Sequence, residues 1–171
     1  YLVGRSVGEL DLVVAELWDE LSQAGYEPMD VELGFGDGED AELPSIHIPA
    51  VSMDAKLGGY VDRVDRYRIG DASYIRVVDY KTGSKDFDYC DVFNGVGLQL
   101  LLYMFALRNS GEEHLGDRPI PVGVQYFPAR VNYLPSDGKP EEADARKKRQ
   151  KQWRREGLLL DDQQILSAME P

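Results

Sequence analysis

The chain is poor in residues that staple small folds or bind soft metals. It has one cysteine, Cys90, and two histidines, His47 and His114, among 171 residues. A lone cysteine excludes an internal disulfide framework and any four-cysteine zinc or iron–sulfur site within the chain. Basic residues are scarce as well, 19 Lys and Arg against 31 Asp and Glu, for a formal charge of −12. The longest apolar stretch, near Leu98–Leu107, is too short and too interrupted to span a bilayer. No basic-then-apolar leader opens the chain, and its first residue is Tyr1 rather than Met. The expectation is a cytoplasmic segment of a larger polypeptide, away from membranes. The Gly-x-x-x-x-Gly-Lys-[Ser/Thr] phosphate loop is missing too, so any use of ATP belongs to other polypeptide.

What is present reads as an ordinary globular domain. Hydrophobic residues make up 43% and charged residues 29%, which excludes wholesale disorder. The length suits one domain with a sizeable core. The acidic balance argues against a phosphate-binding surface, but the charge is unevenly spread. Residues 146–171 hold seven basic and four acidic groups, whereas residues 1–145 hold twelve basic and 27 acidic. A metal site also needs clustered carboxylates, so the sign of the net charge does not decide the partner.

Apolar residues Leu10, Val13, Val14, Leu17 and Leu21 recur at helical spacing and predict a helix over Val7–Ala24. Strands are predicted at Val31–Phe35, Ser45–Val51, Lys56–Arg68 and Tyr74–Lys81, the last two joined by the Gly70-Asp71 turn. An apolar helix over Asn94–Asn109 and a fifth strand over Pro121–Pro128 follow. A loop spans Pro135–Pro140, a charged helix runs from about Glu141 to Glu156, and a short helix ends the chain. The order predicts an α/β domain around one mixed sheet, without internal repeats.

The fourth strand ends Val78-Asp79-Tyr80-Lys81-Thr82-Gly83. Strand alternation places Asp79 and Lys81 on one face. Asp-x-Lys occurs three times, at Asp54–Lys56, Asp79–Lys81 and Asp137–Lys139, so context must separate them. Only Asp79–Lys81 closes a β-branched apolar run; Asp137–Lys139 lies in a Pro/Gly loop. If the third and fourth strands pair through Gly70, Asp62 comes close to Asp79. Two such carboxylates repel each other unless a cation neutralises them, and Mg2+ or Mn2+ suits all-oxygen ligands. A neighbouring Lys81 ammonium can orient an attacking water or steady charge growing on a phosphate. Gln99 and Tyr103, four apart, share one face of the next helix. A glutamine on so apolar a helix needs a partner if buried, and the metal site or a DNA phosphate would supply one.

Gly59-x-x-Asp62-Arg63-x-Asp65, the strand ending Asp79-Tyr80-Lys81, and Gln99-x-x-x-Tyr103 occur in that order. Together they resemble the RecB-like branch of the PD-(D/E)XK nuclease superfamily over roughly residues 28–128. More narrowly, Val78–Phe87, Gly97–Tyr103 and Gly157-Leu158-Leu159-Leu160-Asp161-Asp162 resemble the C-terminal nuclease domain of AddB-type subunits of bacterial AddAB helicase–nucleases. The resemblance implies a restriction-endonuclease-like core, a central mixed β-sheet flanked by helices. It implies a single domain over 1–171, with 135–171 a charged helical extension. It implies an Mg2+-dependent deoxyribonuclease, an exonuclease or an endonuclease, acting on a single strand from an unwound duplex end, for recombinational repair, beside an AddA-type helicase–nuclease subunit. Through the same resemblance Asp62, Asp79 and the Tyr80 carbonyl bind Mg2+ (Mn2+ substituting), Lys81 is the catalytic lysine, and Gln99 and Tyr103 are accessory.

Two departures accompany the likeness. A further metal ligand expected on a helix before the first strand has no clear counterpart; Glu9 and Glu16 are the candidates. The cluster cysteines of AddB-type subunits do not match Cys90, so no iron–sulfur cluster is expected within this chain, although a full-length subunit can carry one. The other classes weighed are a non-catalytic DNA-holding scaffold of the same fold and a stand-alone RecB-like nuclease.

Other residues have plainer readings. Arg63, Asp65 and Arg66 read as structural salt-bridge partners, His47 as a locally satisfied strand residue, His114 as a solvated loop residue and Cys90 as packing. Glu32 either approaches the site or is an exposed strand residue. The run Arg146–Arg155 has seven basic residues in ten. It either tracks DNA phosphates through Lys147, Lys148, Lys151 and Arg154, with Trp153 as a stacking surface, or is solvated or packed on another subunit.

Overall fold

A computed structural model describes residues 2–49, 51–83, 87–131 and 151–169. The expected Pro135–Pro140 loop, the charged helix up to residue 150, Asp137–Lys139, Lys147 and Lys148 lie outside the described residues.

The elements run α1 (Leu2–Gln23), β1 (Glu27–Phe35), β2 (Ile46–Ile48), β3 (Ala55–Leu57), β4 (Gly59–Ile69), β5 (Ala72–Lys81), α2 (Tyr89–Phe93) and α3 (Gln99–Leu115). Then come β6 (Pro119–Pro128), β7 (Glu156–Leu159) and α4 (Gln163–Met169). Five strands form one mixed sheet in the order β1-β4-β5-β6-β7, and β2 and β3 pair as a separate two-stranded sheet. Only β5 and β6 run parallel, joined by the crossover that contains α3. The mixed α/β architecture is the one expected.

The single strand expected over Lys56–Arg68 is two strands, broken at Gly58. A Cβ there would sit 2.9 Å from the Phe35 carbonyl oxygen, so the chain crosses closely over β1 and leaves the sheet. The apolar helix begins at Gln99 rather than Asn94, because Gly95 and Gly97 adopt φ of 80° and 69°, which no helix tolerates. Glu156, expected to close the charged helix, and Gly157–Leu159, for which no element was expected, form β7, antiparallel to β6 from Gly123↔Leu159 to Tyr126↔Glu156.

Each face of the sheet buries its own core. On one, Leu100, Tyr103, Met104 and Leu107 of α3 pack on Leu33, Val64, Ile75, Val77, Val124 and Tyr126. On the other, Leu12, Val13 and Leu17 of α1 pack with Val78, Phe127 and Trp153, while Ile165 and Met169 of α4 cover Tyr26 and Val122. The expected inward stripe of α1 divides: Leu10 and Val14 face outward, and Leu12 turns in.

The α1 face also buries charge. Arg63, Asp65 and Arg76 are each at most 2% exposed. Arg76 Nε donates to Asp65 Oδ2 at 2.8 Å, Arg63 Nη2 to Asp65 Oδ2 at 3.0 Å, and Arg76 Nη2 to Glu20 Oε1 of α1 at 2.6 Å. Arg155, just before β7, donates to Glu20 at 2.6 Å and to Glu16 at 3.0 Å. Three carboxylates and three guanidiniums thus lock α1, two central strands and the C-terminal segment together, every charge facing an opposite one. The structural reading of Arg63 and Asp65 holds.

Candidate active site

The site forms where β4 and β5 part. Their antiparallel ladder runs from Ile69↔Ala72 to Arg63↔Val78 and stops there. One more pair would set Asp62 opposite Asp79. Instead the Tyr80 N–H donates to Asp62 Oδ2 at 2.8 Å, so a side chain takes the place of a ladder carbonyl. The strand geometry is irregular at this level. Val61 and Val64 both belong to the α3-side core, which breaks strict alternation between them. On β1, Glu32 lies between the pairs Val31↔Arg63 and Leu33↔Val61, level with Asp62. Among the described residues Glu32 is the one non-glycine with positive φ, 54°, and its side chain is exposed. Backbone strain of this kind concentrates at functional sites.

β5 continues past the point where β4 leaves because β6 stays paired with it, up to Lys81↔Pro128. The Lys81 carbonyl also accepts the Ala129 N–H at 2.9 Å. Asp79 and Lys81 therefore project from a strand held on one side, with the other side open. Asp79 is 2% exposed, and the Lys81 ammonium lies 2.5 Å from its Oδ2. The same ammonium sits 5.3 Å from the centre of the Tyr126 ring. Tyr80, between them, points to the opposite face, where its hydroxyl accepts from Arg63 Nη1 at 2.9 Å. Burial, outweighing the pull of Arg63, pushes the Tyr80 phenol above its ordinary value and keeps it neutral.

Gln99 is exposed at the start of α3, and its Nε2 donates to the Tyr103 hydroxyl at 2.5 Å. Its partner is thus one turn along its own helix. Tyr103 is buried edge-on against Phe35, centroids 5.5 Å apart, and borders Gly59 at the start of β4. Lys151 and Arg154 are exposed. Trp153 is 3% exposed and packs on Phe127, so it offers no stacking surface. Glu16 is engaged with Arg155 on the α1 side, away from the face that carries Asp79. His47 pairs with Asp54 at 3.1 Å, a local partner as expected. His114 is exposed, as expected, but lies in the last turn of α3 rather than in a loop and sits 2.6 Å from Asp30. Cys90 is exposed on α2 rather than packed.

Three residues that the sequence reading did not single out frame the site. Tyr126 lies beside Asp79 in the β5–β6 register. The Phe87 ring stands 6.2 Å from Tyr126, and the Phe87 N–H donates to Glu156 Oε2 at 2.9 Å. The available signal was alternation: Tyr126 shares its face with Val124, so it must point where Asp79 points.

The donors here are carboxylate and carbonyl oxygens, with no imidazole or thiolate among them. Such a set fits a hard divalent cation such as Mg2+ rather than zinc or copper. Among the described residues no group of three or more His, Cys, Asp and Glu is arranged to hold a metal.

The family model of the PD-(D/E)XK nuclease superfamily matches residues 2–166, and the chain belongs to that superfamily, with its restriction-endonuclease-like α/β fold. Over nearly its whole length the chain is also similar to proteins named as the AddB subunit of an ATP-dependent helicase/deoxyribonuclease. That of Acetivibrio thermocellus is 36% identical over 163 residues, covering 93% of this chain and 14% of the relative. That of Oceanobacillus iheyensis is 33% identical over 160 residues, covering 90% and 13%. That of Clostridium perfringens is 32% identical over 170 residues, covering 99% and 15%. The chain thus spans about a seventh of the length of the curated relatives it matches. No described helix is long and apolar enough to cross a membrane.

Proposed function

We propose that this chain is the deoxyribonuclease domain of a larger bacterial subunit. It hydrolyses phosphodiester bonds in a single DNA strand after a duplex end has been unwound. Its setting is a helicase–nuclease complex with an AddA-type subunit that processes double-strand ends for recombinational repair. The whole of residues 1–171 acts as one domain in this reading. The observation that carries it is that, where β4 and β5 part, Asp62 accepts the Tyr80 amide hydrogen while Lys81 lies against Asp79 on the same strand.

Asp62 and Asp79, with the Tyr80 carbonyl, are the ligands for a divalent cation, Mg2+ with Mn2+ substituting. When bound, the cation supplies charge neutralisation and Lewis acidity at the scissile phosphate. Lys81 orients the attacking water and stabilises charge that builds on the phosphate oxygens as the bond to phosphorus forms. The pinned strand sets the spacing of Asp79 and Lys81 before substrate arrives, which lowers the entropic part of the barrier. Gln99 and Tyr103, bonded to each other, are accessory contacts at the start of α3. Lys147, Lys148, Lys151 and Arg154 track the DNA backbone.

The test is cleavage of a 5′-labelled single-stranded oligonucleotide by the complete subunit in its complex, with the AddA-type subunit's own nuclease inactivated, with and without Mg2+. Wild type is expected to cut only with the metal, and Asp79→Asn to cut at neither condition. Metal-independent cutting, or full activity of Asp79→Asn, contradicts the proposal.

A further inference from the structure

Lys81 has two partners, and they behave differently once the site is working. Asp79 is the first, 2.5 Å from the ammonium. It is also a proposed metal ligand. A carboxylate shared with a cation has less charge left to hold an ammonium, and the two positive charges repel. The second partner is the face of Tyr126, 5.3 Å from the ammonium. A ring quadrupole attracts an ammonium without competing for the cation's ligands, and the attraction grows when both are desolvated.

The surroundings fix that ring. Tyr126 is 4% exposed and sits beside Asp79 in the parallel β5–β6 ladder, so its position is set by sheet hydrogen bonds. The Phe87 ring packs on it at 6.2 Å and on Tyr89 at 5.4 Å. Phe87 is itself held by the bond from its N–H to Glu156, the first residue of β7. A strand, an aromatic neighbour and a hydrogen bond from the C-terminal strand all converge on a residue whose face meets the Lys81 ammonium.

We propose that Tyr126 is the positioning residue for Lys81: its ring face holds the ammonium at the reaction centre while the Asp79 carboxylate is engaged elsewhere. This rests on the reading of Lys81 as the catalytic lysine. It assigns the effect to the ring rather than to the phenolic hydroxyl.

The test replaces Tyr126, within the full-length protein in its complex, with phenylalanine and with pentafluorophenylalanine, which keeps the ring's shape but reverses its quadrupole. Single-stranded oligonucleotide cleavage is followed with Mg2+, and kcat and KM are separated. Phenylalanine is expected to retain kcat within about twofold, and pentafluorophenylalanine to lower it about tenfold with KM nearly unchanged. Equal rates for the two rings overturn the proposal, because a packing role depends on shape alone. A second readout needs no activity. In the metal-free protein, the 13C-methyl signals of reductively methylated Lys81 are expected upfield with phenylalanine at 126 and unshifted with Tyr126→Leu. Identical signals in both overturn the contact. Lys81→Ala separates the two levels. If it cleaves like wild type, the reading of Lys81 fails. If it is inactive while the pentafluoro ring is fully active, only the role of Tyr126 fails.

Discussion

The Asp62 carboxylate accepts the Tyr80 amide hydrogen at 2.8 Å, so one side chain both ends the β4–β5 ladder and touches the strand that carries Asp79 and Lys81. The two roles can be separated. Asp62→Asn keeps an acceptor oxygen of the same shape but removes the charge; Asp62→Ala removes both. Isothermal titration with Mn2+ is expected to show strong weakening in both variants. Thermal unfolding is expected to show a loss of about 1–2 kcal/mol for Asp62→Ala and much less for Asp62→Asn. Undiminished metal binding in both would remove Asp62 from the ligand set.

Glu20 bridges Arg63, Arg76 and Arg155 from α1. Glu20→Ala leaves buried guanidiniums short of a partner and is expected to cost about 3–5 kcal/mol by denaturant unfolding. The effect has a pH signature. Burial raises the Glu20 carboxyl, but Arg76, Arg155 and Arg63 outweigh it and hold it below the ordinary 4.5. A carboxyl depressed on folding contributes stability above its unfolded value and loses it as pH falls through the folded value. The stability gap between wild type and Glu20→Gln is therefore expected to be largest near neutral pH and to shrink once the pH drops below about 4.5. A gap that widens on acidification contradicts this sign.

The basic segment before β7 yields a salt-dependence experiment. If Lys147, Lys148, Lys151 and Arg154 neutralise phosphates, their replacement with Gln lowers DNA affinity. It also flattens the plot of log affinity against log salt by about 0.7 for each phosphate no longer neutralised. Filter binding or fluorescence anisotropy of a single-stranded oligonucleotide at several salt concentrations reads the slope. An unchanged slope assigns the segment to packing on another subunit or to solvent.

The sequence was most legible where period and chemistry coincide. β5 alternates cleanly into Asp79-Tyr80-Lys81, and the observed strand, Ala72–Lys81, ends on that lysine. The Gly70-Asp71 turn was likewise readable, since the hairpin it closes needs a tight reversal. β7 was illegible because four residues, Glu156-Gly157-Leu158-Leu159, carry no strand period; the free edge of β6 makes them a strand. α2 is only five residues long, set by the Asp88 side chain accepting the Cys90 N–H. Trp153 looked exposed because seven charges surround it, yet Phe127 across the fold buries it. The glutamate cluster on α1 was invisible for the same reason: Glu20 is a core residue only because three arginines from distant segments reach it. Tyr126 was read as one more strand residue, since nothing local marks a ring that lies under a lysine 45 residues earlier in the chain.

The central claim is that Lys81 does chemistry at a metal site built by Asp62 and Asp79. A single-turnover assay of Mg2+-dependent cleavage by the complete complex, followed separately on each DNA strand so that the AddA-type subunit's cutting is told apart, wild type against Lys81→Ala, tests it most directly. Removing a charged group that acts mainly in the transition state costs at least about 3 kcal/mol, roughly a hundredfold in rate. Lys81→Ala is expected to lose at least that much while folding and binding Mn2+ normally, and Lys81→Arg to rescue poorly because a planar guanidinium cannot replace a compact ammonium. Cleavage of both strands by Lys81→Ala at the wild-type rate would contradict the assignment and leave the domain as a DNA-holding scaffold.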